Sequence, residues 1–260
     1  MKGTKELNKR HYTDVYNTSM PILYLLRGFI SFDQKSKMRL NVEYIKSCIE
    51  ELSPANKNIK LLDYGCGWGS LLLVLSKYKN LKLFCFDIVD EAIMNLKAVM
   101  SYRHKVVHPV SIDAELNISI NNLNIIVCSH VLEHVDDDYK LLLKFNDALS
   151  SGGYLFVNVP INEVWDDPKH IRKYDQDTLL LLLESAGFKV LTYSEQDRWT
   201  AFILSQESKL KKKYILMLFR ILRLFLALMP LKVLRWSEMI MLKQYDCQQL
   251  LVLSTKPIKN

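Results

Sequence analysis

A doubly wound α/β fold is what this 260-residue sequence predicts, and three observations predict it. Short apolar runs alternate with stretches of helical periodicity from Lys60 to Glu195, the pattern of a mostly parallel sheet covered by helices on both faces. The first run leads into Asp63-Tyr64-Gly65-Cys66-Gly67-Trp68-Gly69-Ser70, a strand-to-helix turn with glycine at alternate positions. The second run ends in Asp87, 24 positions beyond Asp63, where open sheets of this kind place a carboxylate for ribose hydroxyls.

Residues 1–10 are polar, and Thr13 to about Leu52 reads as helices, one near Met20–Ile30 broken before Asp33 and one from Met38 to Leu52. Ser53-Pro54-Ala55-Asn56 is a turn, and the first core strand follows at Lys60–Tyr64. The glycine turn opens a helix over Ser70–Tyr78, followed by a strand at Leu81–Phe86. A helix over Glu91–Tyr102 precedes a strand near Val106–Ser111. Asn124–Cys128 is a buried strand, with a helix over Asp137–Leu149 and a strand over Tyr154–Val159 after it. A helix over Gln176–Ala186 stops at Gly187, a C-cap residue, before a strand at Phe188–Glu195. Gln249–Ser254 is the last apolar run.

The length allows one sizeable core with a small cap rather than two full domains. A hydrophobic content of 49% excludes a disordered chain. Five cysteines without a C-x-x-C pair point to reduced thiols in the cytoplasm, and the opening residues begin no secretory signal. The net charge of +7 is local: residues 206–243 carry nine basic and two acidic side chains, which leaves the rest near neutral.

Glycine spacing decides what the turn binds. A dinucleotide site wants G-x-G-x-x-G/A; here Gly65 and Gly67 fit, but Gly69 comes one residue early and Ser70 holds the expected place. Asp63-x-Gly65-x-Gly67-x-Gly69 instead resembles the first motif of class I S-adenosylmethionine-dependent methyltransferases. Four segments continue the resemblance in order: Leu81–Asp87, Ser111–Glu115, Asn124–Val135 with its Val131-Leu132-Glu133-His134-Val135, and the Leu149-x-x-Gly152-Gly153-x-Leu155 turn. It covers Ile59 to Gln196 and resumes over Gln248–Lys256.

The resemblance implies a seven-stranded, mostly parallel Rossmann-like sheet, its last strand antiparallel beside the sixth, with N-terminal helices and a helical cap inserted before that strand. The expected divisions are an N-terminal helical cap over 1–58, a cofactor-binding core over 59–197, a basic amphipathic insertion over 198–247, and the last strand and tail over 248–260. It implies S-adenosyl-L-methionine as cofactor, with Asp63, Gly65, Gly67 and Gly69 shaping its methionine and ribose side. Asp87 would hold the ribose, Ile88 would pack on the adenine, Asp113 would accept from the adenine amino group, and Ser129 would complete the site. On the residues alone, Asp87 also suits an N-cap for a helix starting near Asp90, and Asp113 a solvated loop carboxylate.

His130, Glu133 and His134 share one face if their segment is helical, and His170 follows the fifth strand. His134 and His170 are the candidates for deprotonating or orienting an acceptor hydroxyl. Some similar methyltransferases hold a divalent metal with Glu-x-x-Glu-His and a distant histidine. Here His130 replaces the first glutamate, which would favour zinc or iron over magnesium, and the expectation is a site without metal. Arg172 and Tyr174 suit either contact with an anionic or glycosidic substrate or a surface ion pair.

Lys209-Leu210-Lys211-Lys212-Lys213 precedes an apolar run from Tyr214 to Met229 that is too short and too charged to span a membrane comfortably. At helical periodicity Lys209, Lys213, Arg220 and Arg223 form one stripe, which suits a helix lying at a membrane surface through residues 209–236, with Trp236 at the same depth. A cap helix over the active site or a dimer partner is the competing reading. Charge interleaved with leucine argues against nucleic acid. The sequence thus predicts methyl transfer to the hydroxyl of a small or lipid-linked acceptor by a cytoplasmic enzyme, peripheral on the inner face of a membrane. The Val131–Val135 region most resembles ubiquinone-pathway O-methyltransferases. A non-catalytic S-adenosylmethionine-binding adaptor and a nicotinamide-dependent oxidoreductase are the alternatives.

Overall fold

The computed structural model describes residue 13 and residues 32–55, 57–113, 115–163, 167–209 and 213–258. The helix expected near Met20–Ile30 lies outside them, as do Asn56, Ala114 and the lysines at 211 and 212. A seven-stranded sheet runs in the order β3-β2-β1-β4-β5-β7-β6. Its strands are β1 (Ile59–Tyr64), β2 (Leu81–Phe86), β3 (His108–Pro109), β4 (Leu123–Ser129), β5 (Leu149–Pro160), β6 (Lys189–Gln196) and β7 (Gln249–Thr255). All neighbouring pairs from β3 to β5 are parallel, whereas β7 lies between β5 and β6 and is antiparallel to both.

Strand alternation sends successive side chains to opposite layers. Leu61 joins one core cluster, under helices α1 (Phe32–Leu52), α2 (Ser70–Leu75) and α3 (Asp90–Tyr102). Leu62 and Tyr64 join the other, under α4 (Asp138–Ala148) and α5 (Gln176–Ser185). Between β4 and α4 a single 3-10 turn covers Leu132–His134. α1 buries Leu40, Ile45, Cys48 and Ile49 against the first layer, so the N-terminal helix belongs to the core packing. All five cysteines are buried and unpaired.

Several boundaries differ from expectation for local reasons. α1 already includes Phe32, ahead of the expected Met38, because residues 33–37 contain neither glycine nor proline to break it. β3 has only two residues, since Pro109 offers no N–H to extend a ladder. α2 ends at Leu75 instead of Tyr78, where the Ser76 hydroxyl donates back to the Leu73 carbonyl at 2.8 Å. β5 begins at Leu149, and the Gly-Gly turn is absorbed as a register shift against β4, with Gly152 at φ 72°.

The insertion is three helices: α6 (Arg198–Lys209), α7 (Lys213–Leu228) and α8 (Leu231–Met241). They share a small core of Trp199, Ile203, Leu226, Ala227, Leu234 and Leu242. α6 and α8 were not separately foreseen. The expected cationic stripe is divided: Arg223 turns to Glu207 on α6 at 2.9 Å, while Arg220 stays exposed.

Candidate active site

The carboxyl ends of β1, β2 and β4 border a cavity of about 520 Å³. It lies at the topological switch between β1 and β4, where ligands bind in open α/β sheets. The glycine turn forms its floor. Gly65, Gly67 and Gly69 have φ of 79°, 47° and 66°, a region that side chains disfavour. The amides of Gly65 and Cys66 donate to the Phe86 carbonyl at 2.8 and 2.9 Å, which ties the turn to β2.

Gly65 and Gly67 line the cavity, but Gly69 does not. A Cβ at Gly69 would lie 2.3 Å from Leu96 Cδ1, so this glycine lets α2 pack on α3. Gly69→Ala is therefore expected to lower stability by about 2–4 kcal/mol, combining a left-handed alanine with overpacking. Urea unfolding checks this, and an unchanged midpoint would remove the packing role. At Gly65 a Cβ would lie 2.3 Å from Val131 Cγ2, so that position is also reserved by protein packing.

Asp87 accepts from the Gly67 amide at 2.8 Å and the Val89 amide at 3.0 Å. It therefore braces the glycine turn as well as facing the cavity, and the N-cap of α3 is Val89 rather than Asp87. Burial raises its carboxyl above the ordinary range even though backbone donors from Gly67, Val89 and Ile88 oppose the shift. Asp63 is 4% exposed, and burial together with the Asp87 charge pushes its carboxyl up to about 7. The buried Asp63 and half-buried Asp87 therefore share the cavity wall, and the Asp87 charge disfavours ionisation of Asp63. The bound group that fits brings cationic and hydroxyl donors, as S-adenosylmethionine does with its ammonium, sulfonium and ribose.

Ile88 and Ser129 line the same space. The Ser129 hydroxyl accepts from Asn41 Nδ2 at 3.0 Å, and Asn41 Oδ1 accepts from Asn158 Nδ2 at 3.2 Å, so α1 is bonded to the ends of β4 and β5. Asp113 stands exposed at the rim. It accepts from the amides of Glu115 and Asn117 and from the Asn117 side chain, and the Asn117 contacts chiefly hold its carboxyl below the usual range. Asp113 thus shapes its loop in addition to facing the opening.

The histidines separate into two arrangements. His130, at φ 55°, takes a strained backbone turn out of β4, and its Nε2 meets Gln249 Oε1 at 2.6 Å. Its Nδ1 lies 3.3 Å from Oε1 of Glu133, whose side chain is fully buried. Burial pushes the Glu133 carboxyl up, but His130 and His134 outweigh it and hold it below its ordinary value. His134 lines the cavity, with Nδ1 3.1 Å from the Lys169 carbonyl. A carbonyl only accepts, so Nδ1 carries the hydrogen and Nε2 of the neutral ring keeps the lone pair.

His170 lies 4.9 Å from His134, ring to ring, behind the cavity wall. Its Nδ1 donates to the Glu163 carboxylate at 2.8 Å. Ligand atoms of Glu133, His134 and His170 all lie within 4.8 Å of one another, close enough to hold an ion, while His130 belongs to no such group among the described residues. Arg172 and Tyr174 are committed to structure: Arg172 pairs with Asp138 at 2.8 Å, and the Tyr174 hydroxyl donates to the same carboxylate at 2.6 Å. Glu163 and Asn41 were missed, since neither belongs to a spacing pattern.

A family model described as a methyltransferase domain matches residues 36–193, more than half of the chain, and the chain belongs to that family. It is a class I S-adenosylmethionine-dependent methyltransferase, with S-adenosylmethionine as its cofactor. The nicotinamide and non-catalytic alternatives fall with that assignment. No curated protein matches it in sequence.

Among solved structures it is similar to a candidate sarcosine dimethylglycine methyltransferase from Galdieria sulphuraria, at 13% identity and TM-score 0.58, over 85% of this chain and 86% of that one. The [4+2]-cyclase SpnF is similar at 17% identity and TM-score 0.57, over 83% and 81%. Phosphoethanolamine N-methyltransferase 2 of Haemonchus contortus, in complex with S-adenosyl-L-methionine, is similar at 12% and 0.54, over 93% of this chain and 61% of that one. These likenesses establish the fold.

Proposed function

We propose that the enzyme methylates a hydroxyl oxygen on a small or lipid-linked acceptor. The observation that carries this reading is His134 on the cavity wall, with Nδ1 donating to a backbone carbonyl and its other nitrogen able to accept a proton. The resemblance of Val131–Val135 to ubiquinone-pathway O-methyltransferases supports the same acceptor class, whereas similar folds serve an N-methyltransferase and a cyclase.

S-adenosylmethionine supplies a sulfonium-activated methyl group. Asp63 and Asp87 bind and orient the cationic and ribose portions, and the glycine turn gives the backbone room beside them. His134 Nε2 takes the acceptor's hydroxyl proton as the oxygen forms its bond to carbon and the carbon–sulfur bond breaks. S-adenosylhomocysteine and a methyl ether leave. His170, held by Glu163, packs behind His134 and fixes the ring, so alignment and proton removal together lower the barrier.

The test compares an alkyl phenol with an alkyl amine of equal chain length, using radiolabelled S-adenosylmethionine. Methylation of the phenol at least about tenfold faster is expected, since the histidine pair offers proton removal that the phenol requires. Turnover with the amine alone would overturn the oxygen assignment.

A further inference from the structure

Two consecutive helices present apolar faces that no described residue covers. α7 turns Phe219, Leu222, Leu226 and Ala227 inward onto the small core of the insertion. Its opposite face carries Met217, Leu218, Ile221, Leu224, Phe225 and Leu228, each 48–70% exposed. α8 does the same, burying Leu234 while Val233, Trp236, Met239 and Ile240 are 45–63% exposed. Isolated exposed apolar side chains are ordinary, but ten on two successive helices form an interaction surface.

Charge identifies the occupant. Arg220 is exposed within the α7 apolar face, and Lys232 and Lys243 are exposed on and beside α8, with no carboxylate partner among the described residues. Residues 206–243 carry a net +7. A symmetric dimer through this face would set that charge against itself. A bilayer with anionic headgroups instead receives the apolar side chains among its acyl chains, while arginine and lysine stems extend to phosphate. None of the described helices is long and apolar enough to cross a membrane.

We infer that α7 and α8 together seat the enzyme on an anionic lipid bilayer, in the headgroup region. Through its inward side, α7 is also joined to the helix that lines the cavity. Met38 and Asn41 of α1 line it, and Arg39 between them donates to the Ala227 carbonyl of α7 at 3.5 Å. Delivery of a membrane-borne hydroxyl through this seat rests on the O-methylation reading; the seat itself does not.

The experiment is co-sedimentation of the full chain with vesicles of phosphatidylcholine alone and of phosphatidylcholine with phosphatidylglycerol. Binding is expected to the anionic vesicles and to weaken with added salt. Leu218→Glu with Phe225→Glu should reduce it by about tenfold or more, as should Arg220→Glu with Lys232→Glu, which leaves the apolar residues in place. Wild-type tryptophan emission should shift to the blue on binding, with the shift reduced in Trp236→Phe. Unchanged S-adenosylmethionine titrations certify that each variant is folded. Failure of the wild type to bind overturns the seat, whether gel filtration shows a dimer or a monomer. Variant binding equal to wild type overturns it too. Phenol methylation in detergent is read separately, so loss of the seat and loss of the oxygen assignment give different results.

Discussion

Asp63→Asn is expected to weaken S-adenosylmethionine binding about tenfold to a hundredfold while stabilising the unliganded protein above pH 7. The two effects have one cause. The Asp63 carboxyl is buried beside Asp87 and has its pKa pushed up to about 7, so the ionised form is costly in the empty protein. An unfolded aspartate ionises near 4, and the folded state therefore holds the proton more tightly between those values. As pH rises through that window the wild type loses stability, and above pH 7 the loss is complete. It amounts to on the order of 2–4 kcal/mol, and asparagine does not suffer it.

A cationic ligand reverses the preference, because it favours the ionised carboxylate. Wild-type affinity should therefore strengthen as pH rises towards 7, with proton release on binding, whereas the variant should show a flatter profile. Calorimetry in two buffers of different ionisation enthalpy reads the proton, and urea unfolding at pH 5 and 8 reads the stability. A variant that binds as tightly as wild type and is less stable at pH 8 would remove Asp63 from the cofactor's contacts.

Such a carboxylate pair is legible in sequence because it depends on short-range geometry. β1 and β2 pair with Asp63 opposite Cys85, so Asp63 near the end of β1 and Asp87 just past β2 must arrive at the same sheet edge. The glycines carry their own backbone requirement, although sequence could not say that Gly69 meets Leu96 rather than ligand. The histidines were legible as residue types only. Their separation into His130 with Gln249 and His134 with His170 depends on β7 entering between β5 and β6, a contact across 119 positions of chain. For Arg172 and Tyr174 the ion-pair reading holds over the substrate one, although nothing local announces Asp138 as their shared partner. The insertion is only partly legible for a similar reason. Its apolar run showed hydrophobicity without showing which side Trp199 and Leu234 would claim, so the exposed faces of α7 and α8 became visible only once α6 was placed.

His134→Ala is expected to lower kcat for a phenolic acceptor about 10²- to 10⁴-fold with little change in S-adenosylmethionine affinity. The cavity-lining ring is the one whose Nδ1 is fixed on the Lys169 carbonyl, so removing it removes the proton acceptor and leaves Asp63 and Asp87 untouched. Glu163→Gln acts at one remove: the amide can no longer offer a carboxylate to His170 Nδ1, so the rate should fall about tenfold and His134→Ala should then add about tenfold less than it does alone. An acceptor with a lower hydroxyl pKa separates proton removal from mere positioning. A more acidic phenol arrives ionised and should recover much of the rate in His134→Ala, but a packing defect would slow both phenols equally. The neighbouring Glu133 carboxylate gives the experiment a further arm, since with His134 and His170 it could hold a divalent ion that would acidify the hydroxyl. Chelation of the wild type is expected to leave its rate unchanged, because the Glu133 carboxylate already has His130 Nδ1 3.3 Å away as a protein partner. Loss of activity on chelation, restored by one divalent metal, would overturn the metal-free reading and give Glu133, His134 and His170 the role of holding that ion.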